Sequence, residues 1–182
     1  MKEGKIKKES AALLIIDIQE GLVPVIPNHE KLISNTNKLI KGAQIFNVPV
    51  IISEQYPKGL KKTCKEIFLP PGIQMFEKNS FSCFLCEGIS NQLNELKIKS
   101  LILAGIEAHI CVLKTALDAL ENGFDVHVVA DAIASRTFEN RNLAIERMRQ
   151  SGAFISSTEM ILFQMIDSSK SEDFKFISAI IK

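Results

Sequence analysis

The sequence has almost no excess charge of either sign and no long apolar run. Its 22 basic and 21 acidic residues leave a net charge of +1, and the basic residues are scattered. This balance argues against a nucleic-acid or membrane partner and favours a small neutral or weakly charged ligand. The uncharged runs fall well short of the roughly 20 residues that span a bilayer, and no signal-peptide pattern is present. We therefore expect a soluble, cytoplasmic protein.

The cysteines are too few for a disulfide-bonded scaffold. The chain has four, and free thiols are expected in an intracellular protein of this size. Cys83 and Cys86 form a single C-x-x-C pair, without a second pair or a histidine pair at zinc-finger spacing. We interpret this pair as incidental spacing on a helix.

Length and composition predict a single domain. With 182 residues, of which 46% are hydrophobic, the chain can bury one substantial core without dividing into two. We expect this domain to span residues 1–182, with the lysine-rich residues 1–10 forming a flexible tail.

Short apolar runs alternate with segments of helical periodicity. The runs predict strands at 11–16, 48–53, 73–77, 100–105, 124–130 and 153–156, and the periodic segments predict helices at 29–46, 80–97, 111–121 and 140–150, with two short helices after the last strand. This alternation is typical of right-handed crossover units. The predicted fold is α/β: a six-stranded parallel sheet in the order 3-2-1-4-5-6 with helices on both faces.

Three polar residues follow the ends of different predicted strands. Asp17 follows the first strand, Lys78 the third and Cys111 the fourth. Each also has an ordinary interpretation: Asp17 as a capping or turn residue, Lys78 as a solvated charge and Cys111 as a small buried hydrophobe. A thiol in the first turn of a helix lies near the positive end of the helix dipole. That position predicts a lowered pKa and a nucleophilic thiolate for Cys111.

The strand order decides whether these three residues meet. In sheets of this kind the binding crevice lies beyond the carboxyl ends of the strands, where the strand order reverses. Strands one and four flank the reversal, so Asp17 and Cys111 are expected to face each other, with Lys78 reaching in from strand three. A lysine can stabilise a thiolate and orient an acid, and a carboxylate can take and return a proton. The combination predicts a reactive cysteine that needs no histidine base.

The pattern around these residues resembles the isochorismatase-like cysteine hydrolase superfamily. It comprises DIQ at 17–19, Lys78, GIEAHICV at 105–112, DAIASR at 131–136 and STE at 157–159, and it extends from about Ala12 to about Glu159. The resemblance implies a six-stranded parallel sheet. It also implies that Cys111 is the nucleophile, Asp17 the general base and acid, and Lys78 the third catalytic residue.

The resemblance further implies a cis peptide bond between Ile106 and Glu107, ahead of the nucleophile. Such a bond would direct the backbone N–H groups of Glu107 and Cys111 at one point. These two groups are predicted to form an oxyanion hole for a tetrahedral intermediate.

Departures from the family pattern narrow the predicted function. The metal-binding nicotinamidase branch carries an Asp and several His after the second strand, whereas this chain has SEQYPKG at 53–59. Its three histidines, His29, His109 and His127, lie elsewhere. We therefore expect no metal and no cofactor. Isochorismatases often lack the cysteine, so Cys111 favours a thioester route on a small amide or related carbonyl substrate.

Three functions stay open at this point. The leading prediction is a cysteine-dependent hydrolase, an amidohydrolase acting on non-peptide C–N bonds. The alternatives are an isochorismate-type vinyl-ether hydrolase and a catalytically idle oligomeric binding module. We also expect a homo-oligomer, because the apolar segment at 174–181 has surface to bury. Packing of that segment on its own domain is an equal alternative.

Side chains near the predicted strand ends indicate the character of the substrate pocket. They are Leu22, Tyr56, Phe81, Phe84 and Ile106, and they predict a small, mainly apolar pocket beside Cys111. Such a pocket suits a compact neutral amide better than a dicarboxylate, whose charges need basic partners. Those partners are available if the long loop at 54–72 folds over the site, from Arg136 and from lysines 58, 61 and 62.

Overall fold

Six strands of the computed structural model, which describes residues 4–182, form one sheet. The strands are β1 (Ala11–Ile16), β2 (Val50–Gln55), β3 (Gln74–Lys78), β4 (Ser100–Ile106), β5 (Asp125–Ala134) and β6 (Phe154–Ser156). They are parallel throughout and lie in the order β3-β2-β1-β4-β5-β6. The predicted fold class and strand order are confirmed.

Helices connect the strands and complete the chain. They are α1 (His29–Ile45), α2 (Pro57–Leu60), α3 (Glu87–Glu95), α4 (Leu113–Glu121), α5 (Phe138–Gln150), α6 (Thr158–Gln164) and α7 (Glu172–Ile181), with a π-helical turn at Ala108–Val112 and 3₁₀ turns at Lys8–Ser10, Val23–Val25 and Cys83–Leu85. No helix within residues 4–182 is long and apolar enough to cross a membrane.

Two elements differ most from the sequence prediction. The helix predicted over 80–97 is divided into the 3₁₀ turn Cys83–Leu85 and the shorter α3, because Cys86 between them has an extended backbone, with φ −97° and ψ 105°. β5 continues to Ala134, past its predicted end, because a register shift in its pairing with β4 extends the ladder. This extension brings the segment after β5 beside the end of β4.

The side chains of β1 alternate between two cores, one on each face of the sheet. Leu13 and Ile15 belong to one core, and Ala12 and Leu14 belong to the other; none is more than 1% exposed. Residues of α1, α6 and α7 complete the first core, and residues of α3, α4 and α5 complete the second. Burial on both faces explains why β1 is a continuous apolar run rather than an alternating one.

The strand order reverses between β1 and β4, which approach closely at this point. Gly105 has a φ of 131°, and a Cβ atom at this position would lie 2.1 Å from the carbonyl oxygen of Ile16. Glycine accommodates both the backbone conformation and the contact. The crevice expected at such a reversal lies beyond the carboxyl ends of these two strands.

The start of the chain differs from the predicted flexible tail. Residues 1–3 of that tail lie outside the described residues. Ile6 is buried in the core on the α1 face of the sheet, and Lys8–Ser10 forms a 3₁₀ turn. Lys5, Lys7 and Lys8 are exposed, as expected. From residue 4 onward the segment is therefore docked on the domain, because one apolar side chain anchors it.

Candidate active site

Asp17 directly follows β1 and is fully buried. Its backbone adopts a left-handed conformation with φ 53°, and its N–H donates to the carbonyl oxygen of Ser53 at 3.1 Å. Aspartate is one of the few non-glycine residues that tolerate this conformation. The turn ends the strand and directs the carboxylate into the space between β1, β2 and β4.

Lys78 is the last residue of β3 and reaches across β2 to Asp17. Its Nζ donates to Asp17 Oδ2 at 2.7 Å and to Gln55 Oε1 at 2.8 Å. The carbonyl oxygens of Ser80 and Phe81 also accept from Nζ, at 3.1 and 3.3 Å. Since its side chain is fully buried, these acceptors replace the water that a lysine normally binds. Lys78 thus extends from the third strand to Asp17, as predicted.

Cys111 lies inside the π-helical turn, ahead of α4, and is 6% exposed. Its thiol lies beside Asp17, and each of these two groups shifts the pKa of the other. The structure thus brings together Asp17, Lys78 and Cys111, as predicted. Insertions of this π type in helices are frequent at functional sites.

The predicted low pKa of the Cys111 thiol is wrong. Burial raises the pKa of Cys111, and the negative charge of Asp17 raises it further, while Lys78 acts in the opposite direction. Burial also raises the pKa of Asp17, against the lowering effects of Lys78, Ser53 and Cys111. The sequence interpretation considered the helix dipole and Lys78 but not burial, which is the largest effect on the pKa of this thiol. At neutral pH the resting cysteine is a thiol that needs a base.

Sequence reasoning missed two residues of β2 that complete the site. The Ser53 hydroxyl donates to Asp17 Oδ1 at 2.7 Å, and Gln55 accepts from Lys78. The available signal was their position: residues 53 and 55 lie two apart at the end of the strand beside β1, so they share a face. Gln19 supports this arrangement, because its Oε1 accepts from the backbone N–H of Gln55 at 2.7 Å.

The segment ahead of Cys111 is anchored by an ion pair. The peptide bond between Ile106 and Glu107 is cis. The Glu107 carboxylate accepts from Arg136 Nε at 3.0 Å and from Nη2 at 2.8 Å, and also from the Arg136 backbone N–H at 3.0 Å. These bonds hold the pKa of Glu107 below its ordinary value. The assignment of the Glu107 and Cys111 N–H groups to an oxyanion hole stays a prediction.

The five predicted pocket residues are not all together. Tyr56 and Phe81 follow β2 and β3 at the carboxyl edge and are 53% and 54% exposed. Leu22 is half-buried against the core on the α1 face. Ile106 is fully buried within that same core, so it does not border an open pocket.

Phe84 was placed wrongly at the sequence level. Its ring packs edge to face on Phe124, with 5.4 Å between the ring centroids. Both rings line a cavity of about 490 Å³ between the last turns of α3 and α4 and the starts of β4 and β5. That region is away from the carboxyl edge, because β4 and β5 begin there.

Within residues 4–182, no group of three or more His, Cys, Asp or Glu residues is arranged to hold a metal ion. His109 Nδ1 lies 2.9 Å from Ser135 Oγ, and His127 is buried in β5.

Comparisons with known proteins agree with this geometry. A family model described as Isochorismatase domain matches residues 11–160. The secreted isochorismatase effector Isc1 of Phytophthora sojae is 40% identical over 188 residues, which cover 98% of this chain and 88% of that protein. Isochorismatase domain-containing protein 2 of Danio rerio is 38% identical, with 98% of this chain and 90% of that protein covered.

Solved structures match over nearly the whole chain. The MAR1 ribonuclease of Caenorhabditis elegans has a TM-score of 0.92 at 35% identity, covering 97% of this chain and 92% of that one. The ycaC gene product of Escherichia coli, described as an octameric hydrolase of unknown specificity, has a TM-score of 0.91 at 25% identity and covers 99% and 92%. Since the family model spans most of the sheet and the relatives match from end to end, the chain belongs to the isochorismatase family of hydrolases.

Proposed function

We propose that this protein is a cysteine-dependent hydrolase that cleaves a small amide, or a related carbonyl compound, through a thioester. Asp17 accepts the thiol proton as Cys111 Sγ attacks the carbonyl carbon, forming a C–S bond and an oxyanion. The oxyanion collapses, the C–N bond breaks and the leaving amine takes the proton from Asp17. Water then attacks the thioester and transfers a proton to Asp17, which returns it to the departing sulfur.

The position of Cys111 beside a buried, lysine-bound Asp17 is the observation that carries this proposal. A thiol with a raised pKa is a poor nucleophile by itself, so a base in contact with it is required. Burial strengthens Asp17 as a base, since it raises the pKa of the carboxyl group. Lys78 keeps the Asp17 carboxylate in place as the proton moves.

The near-complete burial of Cys111 favours a small substrate. Arg136, which a dicarboxylate would need, already neutralises Glu107 through two side-chain hydrogen bonds. The lysines at 58, 61 and 62 are solvent-exposed. Tyr56 and Phe81 are the remaining candidates for an apolar rim. A compact neutral amide therefore fits the proposed site better than isochorismate, and vinyl-ether hydrolysis is the second candidate.

The experiment is an assay of the purified protein against small amides, isochorismate and RNA, with Cys111→Ala as the blank. We expect hydrolysis of some amides, none of isochorismate, and a trapped thioester on Cys111 by mass spectrometry. Cys111→Ala abolishes turnover and leaves the fold intact, since deleting one thiol disturbs packing far less than chemistry. RNA is included because a relative is named as a ribonuclease. Cysteine-dependent cleavage of isochorismate or RNA without amide turnover would reverse the ranking.

Asp17→Asn distinguishes an enzyme from an idle binding module. The amide retains the shape of the carboxylate but accepts no proton, so we expect turnover to be lost and ligand binding to be kept. The same substitution should also slow the alkylation of Cys111 by iodoacetamide. A thiol that reacts no faster than a free cysteine, or equally fast in both proteins, argues for the binding module.

The proposed partner is a small molecule, and the proposed location is the cytoplasm. Because the Phytophthora relative is named as a secreted protein, the location of this protein needs its own experiment. Fractionation of the source cells, with the protein detected by antibody, answers it.

A further inference from the structure

A chain of hydrogen bonds leads to Asp17 from the side opposite Lys78. Cys83 Sγ lies 3.6 Å from Ser53 Oγ, and the Ser53 hydroxyl donates to Asp17 Oδ1 at 2.7 Å. All three residues are fully buried. The chain joins the turn before α3 to the end of β1 through β2.

Cys83 is itself fixed from another element. Its backbone N–H donates to Thr115 Oγ1 at 3.0 Å, and Thr115 is fully buried in α4. A thiol is a weak donor, but Cys83 and Ser53 are both fully buried and the thiol lies within hydrogen-bonding distance of the Ser53 oxygen. A serine hydroxyl has one hydrogen. With Cys83 on its acceptor side, that hydrogen is directed at Asp17.

The geometry points to Ser53 and Cys83 as positioning residues that act through Asp17: Cys83 orients the Ser53 hydroxyl, and Ser53 holds Asp17 Oδ1 so that the buried carboxylate stays ionised beside Cys111. This inference rests on the proposed function, in which Asp17 is the base. It gives Cys83 a role that its spacing from Cys86 does not indicate.

The charged, titratable and hydrogen-bonding groups that face Asp17 come from four elements. Lys78 lies on β3, Ser53 on β2, Cys111 on the π-helical turn and Cys83 on the 3₁₀ turn. Burial raises the pKa of Asp17, whereas the bonds from Lys78 and Ser53 lower it. The pKa of the Cys83 thiol is raised to about 11 by burial and by Asp17. Cys83 therefore stays protonated and able to donate throughout the neutral range.

The test is the pH profile of Cys111 alkylation by iodoacetamide, followed on the Cys111 peptide by mass spectrometry so that Cys86 does not interfere. The acidic limb of the profile reports protonation of Asp17. Loss of a hydrogen bond to a charged group is expected to shift this limb upward by about one pH unit in Ser53→Ala. Ser53→Thr, which keeps the hydroxyl, restores the wild-type limb. Ser100→Ala, which removes a buried hydroxyl at the start of β4, leaves the limb in place.

Cys83 is tested with the same measurement. Cys83→Ala removes the thiol that orients Ser53, so the limb moves upward by a fraction of the Ser53→Ala shift. Cys83→Ser keeps a donor and keeps the wild-type limb. Cys64→Ala, at a buried cysteine in the loop between β2 and β3, is the matched control.

The outcomes separate this inference from the proposed function. If Asp17→Asn alkylates at the wild-type rate, Asp17 is not the base and the proposed function fails. If Asp17→Asn is slow but Ser53→Ala and Cys83→Ala lower the rate equally at every pH, both residues only support the fold and the inference is overturned. If Ser53→Ala does not fold by circular dichroism, the shift in Cys83→Ala decides the matter.

Discussion

A lysine ammonium is stable inside a protein only where other acceptors replace its water. Lys78 meets this requirement with one carboxylate, one side-chain amide and two backbone carbonyls. Asp17 has the complementary requirement, and Ser53 and Lys78 each occupy one of its oxygens. At the scale of the residue, each buried charge therefore depends on the other for its place in the fold.

We expect Lys78→Met to destabilise the protein by about 3–5 kcal/mol, because it leaves the Asp17 carboxylate buried without its counter-charge. Urea denaturation of the purified variant measures this loss. Lys58→Met, which removes an exposed lysine, should change the free energy of unfolding by less than about 0.5 kcal/mol.

The double variant Lys78→Met/Asp17→Asn provides the internal control. The double variant leaves no buried charge without its counter-charge. Its free energy of unfolding should therefore be higher than the sum of the two single effects predicts. Strict additivity would mean that the two residues do not stabilise each other.

At the scale of the element, the site depends on how closely β1 and β4 approach. Gly105 brings the two backbones together where the strand order reverses, and the π-helical turn that carries Cys111 follows directly after β4. The ion pair between Glu107 and Arg136 then ties this turn to the segment after β5. Three neighbouring strands thus determine where a single thiol lies.

Gly105→Ala should be severely destabilising, by about 3 kcal/mol or more, because the added Cβ meets backbone atoms that cannot move independently of β1. The matched control is Gly123→Ala. Gly123 also has a positive φ, of 84°, but nothing lies within 4 Å of an added Cβ. The free energy of unfolding of Gly123→Ala should fall only by the cost of backbone strain, about 1–2 kcal/mol. Equal losses in urea unfolding would show that the strand contact adds nothing.

At the scale of the whole molecule, His127 is a buried polar side chain that the packing of the sheet leaves without a hydrogen-bond partner among residues 4–182. His127 is fully buried in β5 and stacks on Phe154, with 5.1 Å between ring centroids. Within residues 4–182 neither of its ring nitrogens has a hydrogen-bond partner. Burial lowers the pKa of His127 to about 4, against a raising effect of Asp125. The folded protein therefore holds this imidazole neutral.

Global stability should fall as the pH is lowered from about 6.5 towards 4. In this window the unfolded chain binds a proton at His127 that the folded chain does not, so protonation favours unfolding, by up to about 3 kcal/mol. Urea unfolding across the window measures the slope. His127→Phe should have a flatter profile than the wild type, whereas His29→Gln, at a partly exposed histidine, should not. Parallel profiles for His127→Phe and the wild type would contradict this assignment.

Assembly is a second whole-molecule property. The octameric relative supports a homo-oligomer. The apolar segment at 174–181 is only partly available for such contacts, because Ile177 of α7 is buried in the core whereas Phe176 is 62% exposed. Further exposed apolar side chains, including Leu85 and Leu143, offer surface to bury. We expect light scattering at micromolar concentration to give a multiple of the 20.3 kDa chain mass. A monomer mass would contradict this.

Periodicity and turn residues in the sequence were sufficient for the fold class and for placing Asp17, Lys78 and Cys111 near strand ends, because apolar runs must be buried on both faces and polar residues mark where they end. The convergence of the three residues depended on the strand order 3-2-1-4-5-6, which periodicity does not determine and which the structure confirms. The boundaries of β5 and of the helix after Lys78 did not follow, because a register shift and one extended residue decided them.

The protonation of the site was likewise decided by the tertiary structure. The sequence indicated that Cys111 lies near a helix terminus, which predicts a lowered pKa. The fold removes the thiol from water and places it against Asp17, and burial is the larger effect on a charge. Packing between distant segments likewise decided the roles of Ser53, Gln55 and Cys83. It also decided that Phe84 contacts Phe124. A sequence reveals which side chains can react, but the solvent and the neighbours that set their reactivity exist only after distant segments have packed.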